Sequence, residues 1–86
     1  MAHSTTTRYT VGPDNYTQVA TGVQHVYITE TLVGGMRVVV QQSGTAPTVG
    51  HSNYMHFDRS FEWSDGSFDV YVLSPHGVSS VGVLTR

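Results

Sequence analysis

Residues 55–73 read Met55-His56-Phe57-Asp58-Arg59-Ser60-Phe61-Glu62-Trp63-Ser64-Asp65-Gly66-Ser67-Phe68-Asp69-Val70-Tyr71-Val72-Leu73, and their period of two decides the fold class. Met55, Phe57, Arg59, Phe61 and Trp63 fall on one side; His56, Asp58, Ser60 and Glu62 fall on the other. Such alternation belongs to a strand with one buried and one wet face. Arg59 interrupts the apolar side, and its stem is expected to pack while its head leaves at the sheet edge. Asp65-Gly66 suits a two-residue type I′ turn, whose central residues need positive φ. Phe68 to Leu73 then reads as the returning strand of a hairpin, with Phe68, Val70 and Val72 inward and Asp69 and Tyr71 outward.

The same period runs through the rest of the chain. Val26 to Leu32 reads as a strand with Val26 and Ile28 inward. Gly34-Gly35 turns the chain into Met36, Val38 and Val40, while Val39 faces the other way, so part of this strand is expected to be covered on both sides. Ser43 to Asn53 is a longer loop. Thr5 to Val11 forms a first strand, Gly12-Pro13-Asp14-Asn15 a turn cluster, Tyr16 to Ala20 a short strand, and Val78 to Thr85 the last one. Turn signals recur about every 8–12 residues and no amphipathic helical period is present. The expected fold is all-β: a small antiparallel β-sandwich or partly closed barrel of about seven or eight short strands. Residues 1–86 form a single β domain, with residues 1–11 as an edge strand or an assembly arm. Phe57, Phe61, Phe68, Val70 and Ile28 are the expected core.

Composition narrows the function. In 86 residues the net charge is −2, charged residues are 12% and all four cations are arginine. That is not the basic footprint of a nucleic-acid binder or of a polybasic membrane patch. No apolar run approaches the roughly 20 residues of a membrane span, and no signal peptide is recognisable at Met1 to Arg8. Cysteine is absent, so no disulfide framework exists. A surface of Ser, Thr, Asn, Gln and Gly offers weak charge repulsion against association. The first strand is rich in β-branched Thr and poor in apolar residues, which suits pairing with another chain. Thr5, Thr7, Arg8, Tyr9 and Val11 are therefore the candidate assembly contacts.

Residues with chemistry do not assemble into an active site. No Gly-x-Ser-x-Gly elbow accompanies the Ser and His residues. His51, His56 and Asp58 are the nearest thing to a ligand set, but none of the histidines has zinc-motif spacing. Asp58 and Glu62 share a strand face about 13 Å apart, too far for a hydrolytic pair. Trp63 and Tyr71 would offer a sugar-stacking platform if exposed, although Phe57, Phe61 and Trp63 share the face that reads as core. No catalytic, cofactor-binding or metal-binding residue is assigned, and neither a cofactor nor an enzymatic activity is expected.

Several short stretches, taken together, carry a resemblance. Tyr16-Thr17-Gln18-Val19-Ala20-Thr21-Gly22 precedes a valine-rich strand. Then come Gly34-Gly35-Met36-Arg37-Val38-Val39-Val40, Thr45-Ala46-Pro47-Thr48-Val49-Gly50-His51, and a late Val70-Tyr71-Val72. Over nearly its whole length the chain resembles small β-sandwich virion proteins of tailed bacteriophages. The resemblance implies a non-enzymatic virion component, assembled in the host cytoplasm. A capsid decoration (cement) protein at capsomer junctions comes first, and a tail, neck or fibre component second. It implies other virion proteins as partners, the major capsid protein or tail and neck proteins, and a homo-oligomer, often a trimer. A free-standing glycan-binding β-sandwich module is the alternative outside that family.

Overall fold

The computed structural model describes residues 5–30, 35–42, 45–48, 50 and 54–86. It holds eight strands and, among the described residues, no helix: β1 Thr5–Val11, β2 Thr17–Val23, β3 Val26–Glu30, β4 Met36–Gln41, β5 Met55–Phe57, β6 Ser60–Trp63, β7 Phe68–Leu73 and β8 Ser79–Thr85. The antiparallel pairs β1·β8, β2·β7, β3·β6 and β4·β5 nest one inside the next. The chain is thus one long two-stranded ribbon, doubled back between β4 and β5. Two further antiparallel pairings, β3·β8 and β4·β7, roll that ribbon up. The result is two four-stranded sheets, ordered β1-β8-β3-β6 and β2-β7-β4-β5. This is the strand order of a jelly roll, one of the architectures by which antiparallel sheets bury their faces against each other.

Period-two alternation supplies the layer between the sheets. Val11, Val26, Ile28, Val81 and Val83 come from one sheet; Val19, Ala20, Met36, Val38, Phe57, Phe68, Val70 and Val72 come from the other. Tyr9, Val23, Val40, Phe61 and Trp63 pack against this cluster from its margins. Four of the five expected core residues are buried, and Phe61 is half-buried on the edge strand β6. Valine dominates because β-branched side chains suit a thin layer between two pleated surfaces.

The stretch 55–73 folds differently from the expected hairpin. Residues 55–63 are two strands in two sheets: β5 pairs with β4, whereas β6 pairs with β3. The break falls at Asp58-Arg59, where Arg59 takes φ +82°. This left-handed conformation is costly for a residue with a Cβ. Two hydrogen bonds hold it: the Arg59 amide donates to the Glu30 carboxylate at 3.0 Å, and the Glu30 amide donates to the Arg59 carbonyl at 2.9 Å. Arg59 is thus the corner by which the chain changes sheets. The Asp65-Gly66 turn is likewise a crossover and not a hairpin, since β7 pairs with β2 and β4 and never with β6. The reason lies in β7, where Tyr71 and Leu73 are buried along with Phe68, Val70 and Val72. A strand apolar on both faces belongs in the middle of a sheet, with a neighbour on each side.

The second strand runs further than Tyr16 to Ala20 because it is bulged. Its register with β7 shifts between Gln18 and Ala20 and again between Ala20 and Val23. Gly22, at φ +58°, supplies the left-handed residue of the second irregularity, and its amide donates to the Asp69 carboxylate at 2.8 Å. Glycine adopts that conformation without steric cost.

Two expectations follow from this packing. Phe68→Ala, at a site 2% exposed, should cost about 3–5 kcal/mol, and Phe61→Ala should cost clearly less; urea denaturation compares them, and equal losses would contradict the assigned burial. At the corner, Arg59→Gly should hold or raise stability by up to about 1 kcal/mol, because relief of the left-handed strain outweighs the added chain entropy. Arg59→Val should lower it by about 1 kcal/mol or more, since branching at Cβ aggravates the strain.

Candidate interaction surfaces

Each sheet has two edges, and three of the four are blunted. β5 has only three residues and β6 four, while β2 carries the register breaks. Short and bulged edges are poor templates for pairing with another chain. The exception is β1, which runs for seven residues in unbroken register against β8, from Thr5↔Thr85 to Val11↔Ser79. One side of its backbone therefore faces away from the sheet.

The five candidate assembly residues divide along this strand. Val11 is fully buried and Tyr9 packs against the core from its margin, so these two anchor β1 and do not face a partner. Thr7 and Arg8 are exposed, as are Thr6 and Thr10, which the sequence reading passed over. Thr5 pairs with Thr85 at the strand's end. Arg8 lies against the outer face of its own sheet, where its Nη1 donates to Ser80 Oγ at 3.0 Å. This face is polar and bare: Thr6, Arg8, Thr10, Tyr27, Thr29, Ser60 and Glu62 are all exposed.

The residues weighed for catalysis or metal binding are dispersed. His56 sits on β5 and packs over Gly35, where a Cβ would come 2.5 Å from the His56 Nε2. Asp58 lies at the β5–β6 corner, and His51 is outside the described residues. Among the described residues no three His, Cys, Asp or Glu side chains form a group able to hold a metal ion. Glu62 meets His25 Nε2 at 2.8 Å, which ties the entry of β3 to β6. Trp63 is half-buried and stacks on Phe61, with ring centroids 6.4 Å apart and planes 10° apart. Tyr71 is 5% exposed. The Tyr71 ring is not free to serve as a stacking platform, and Tyr71 is not the outward, wet residue that alternation predicts.

Tyr71 belongs to a second apolar layer on the outer face of the β2-β7-β4-β5 sheet. Val39, Tyr71 and Leu73 are 5%, 5% and 1% exposed, although none belongs to the cluster between the sheets. Val39 lies opposite Tyr71, and Leu73 opposite Arg37, in the β4·β7 register. Beside them the Arg37 guanidinium sits over the Tyr54 ring, 4.5 Å from its centroid. Tyr16, at the entrance to β2, is half-buried, and its hydroxyl is buried without a hydrogen-bond partner. Burial pushes the Tyr16 phenol above its ordinary pKa; the Arg37 charge opposes that rise and Tyr54 adds to it. The unbroken apolar runs Val38-Val39-Val40 and Val70-Tyr71-Val72-Leu73 are the sequence signal for this layer. At Val39 the run shows it; at Tyr71 strict alternation hides it.

No protein-family model, curated protein or solved structure matches this chain. Among the described residues no helix is long and apolar enough to cross a membrane.

Because Trp63 is stacked and half-buried, its fluorescence should not respond to neutral mono- and oligosaccharides. A saturable change in its emission on titration would favour the glycan-binding alternative.

Proposed function

We propose that this chain is a non-enzymatic structural component of a tailed-bacteriophage particle, with capsid decoration at capsomer junctions as its first assignment. The observation that supports this best is the contrast among the edges: three are short or bulged, and β1 is long, regular and nearly uncharged. A strand of that kind accepts a further strand from a neighbour, whose main-chain hydrogen bonds supply affinity. Support also comes from the jelly-roll order, an architecture used by viral capsid domains among others, and from the scarcity of surface charge. The β1 edge is taken as the contact with a second copy or with another virion protein. Thr6, Thr7, Arg8 and Thr10 are its accessible side chains. A tail, neck or fibre position rests on the same features and differs only in the neighbour.

The test uses Thr6 and Thr10, exposed positions where lysine blunts an edge without disturbing the core. The double variant Thr6→Lys, Thr10→Lys should keep the melting temperature of the parent. It should nevertheless lose self-association in light scattering and co-sedimentation with heads or tails of the phage that encodes the chain. Sedimentation with heads supports decoration; sedimentation with tails moves the assignment there. A parent chain that stays monomeric at high concentration and sediments with neither sinks the structural reading.

A further inference from the structure

β1 and β6 are the two edges of one sheet, and the sheet gives them opposite directions. β1 runs antiparallel to β8, β8 to β3, and β3 to β6, so β1 points one way and β6 the other. Among the described residues no strand lies beyond either of them. A second copy set beside the first in the same orientation therefore brings its β6 antiparallel to β1. The inner and outer faces of the two sheets then fall on the same sides, as a continuous antiparallel sheet requires.

The outward side chains of the two edges carry opposite charge. Arg8, the middle residue of β1, is exposed, and the Glu62 side chain on β6 is 61% exposed. Arg8 Nη1 donates to Ser80 Oγ, and among the described residues Arg8 has no acidic partner. Glu62 meets His25 through Oε2 alone. Sliding one strand by a single residue would turn inner side chains outward, so only every second register is open. The register that sets Arg8 opposite Glu62 of the next copy also sets Thr10 opposite Ser60, Tyr9 opposite Phe61 and Thr7 opposite Trp63. All four residues of β6 are then matched. Directly opposite residues have Cβ atoms about 4.5–5.5 Å apart, within reach of a guanidinium and a carboxylate. Tyr9, Phe61 and Trp63 are half-buried at the margins of the core. In this register Tyr9 keeps its place between the sheets and comes into line with Phe61, so the apolar layer runs on from copy to copy. β6 is too short to template strands in general, and these side chains supply the selectivity that length does not. By contrast, β1 paired along its full length with β1 of a second copy sets Arg8 opposite Arg8, and like charges directly opposite are destabilising.

We propose that copies of this chain join head to tail, β1 of one copy against β6 of the next, with Arg8 paired to Glu62. This rests on the reading that the β1 edge is an assembly contact, and it names a second copy's β6 as what fills that edge. Each copy carries both halves of the contact. Association therefore runs past a dimer to a ring or a filament, unlike a two-fold contact, which stops at two.

The experiment follows the mass of the purified chain by light scattering, with melting curves to show that each variant folds. The parent should give masses above the dimer. Arg8→Glu and Glu62→Arg should each weaken self-association about tenfold, because each sets like charges opposite one another. Mixing the two variants in equal amounts should restore it, since every contact in the mixture again joins opposite charges. The chain has no cysteine, so an equal mixture of Arg8→Cys and Glu62→Cys gives a second reading, which decides if a charge variant fails to fold. Mild oxidation should link the mixture into disulfide-bonded dimers faster than either variant alone. Association untouched by the charge reversals, or a mixture no better than its components, overturns the head-to-tail contact. So does faster linking of Arg8→Cys with itself, which places β1 against β1. A parent that stays monomeric yet sediments with heads or tails overturns this contact as well, while the β1 edge stands as a contact with another virion protein.

Discussion

The burial of β7 on both faces is the constraint on which the rest of the architecture depends. Phe68, Val70 and Val72 fill the layer between the sheets, while Tyr71 and Leu73 are withdrawn from water on the other side. A strand in that position needs hydrogen-bonding neighbours left and right, and it has them in β2 and β4. Once β7 is central, it cannot also close a hairpin with β6, because both of its edges are taken. β6 must then pair elsewhere, and it completes the opposite sheet beside β3. The crossover at Ser64–Ser67 and the corner at Arg59 both follow from that assignment. Strain at Arg59 is the local cost of making the corner within two residues, and Glu30 offsets it by bonding to the corner's backbone from the next strand.

How much of this could be read in the sequence depends on what alternation encodes. A period of two states which side chains share a face, and that reading correctly gave an all-β sandwich, a first strand at Thr5–Val11 and a core around Ile28, Phe57, Phe68 and Val70. It does not state which sheet a face belongs to. Met55 to Trp63 keeps its phase across Asp58-Arg59, so one strand and two strands in different sheets look alike in the letters. Arg59 on the apolar side is the one trace of the break in the letters, and a snorkelling stem accounts for it equally well. Asp65-Gly66 misled for a related reason: the dipeptide favours positive φ, which serves a sheet-to-sheet crossover as well as a hairpin.

The candidate surfaces were legible to different degrees. The Thr run in β1 pointed to an edge strand, and β1 is one. Composition could not separate its anchoring residues from its accessible ones, because that division requires the register with β8: Tyr9 lies opposite Val81 and Val11 opposite Ser79, whereas Arg8 lies opposite Gly82. The outer apolar layer is only partly legible, since Val39, Tyr71 and Leu73 come together through the β4·β7 register and not through their spacing in the chain.

The two outer faces of the sandwich differ, although both carry few charges. The β1-β8-β3-β6 face is bare and polar, and its hydroxyls hydrogen-bond to water at no cost, so it exerts little pull on any partner. The β2-β7-β4-β5 face carries its own apolar layer, with Val39, Tyr71 and Leu73 already covered, so among the described residues it too lacks an exposed patch that would drive indiscriminate association. Among the described residues, what limits pairing with other strands is therefore geometry more than charge: short β5 and β6, and a bulged β2. The seven-residue edge of β1 is the one that these devices leave regular, and the backbone groups along such an edge are directional where a charge is not.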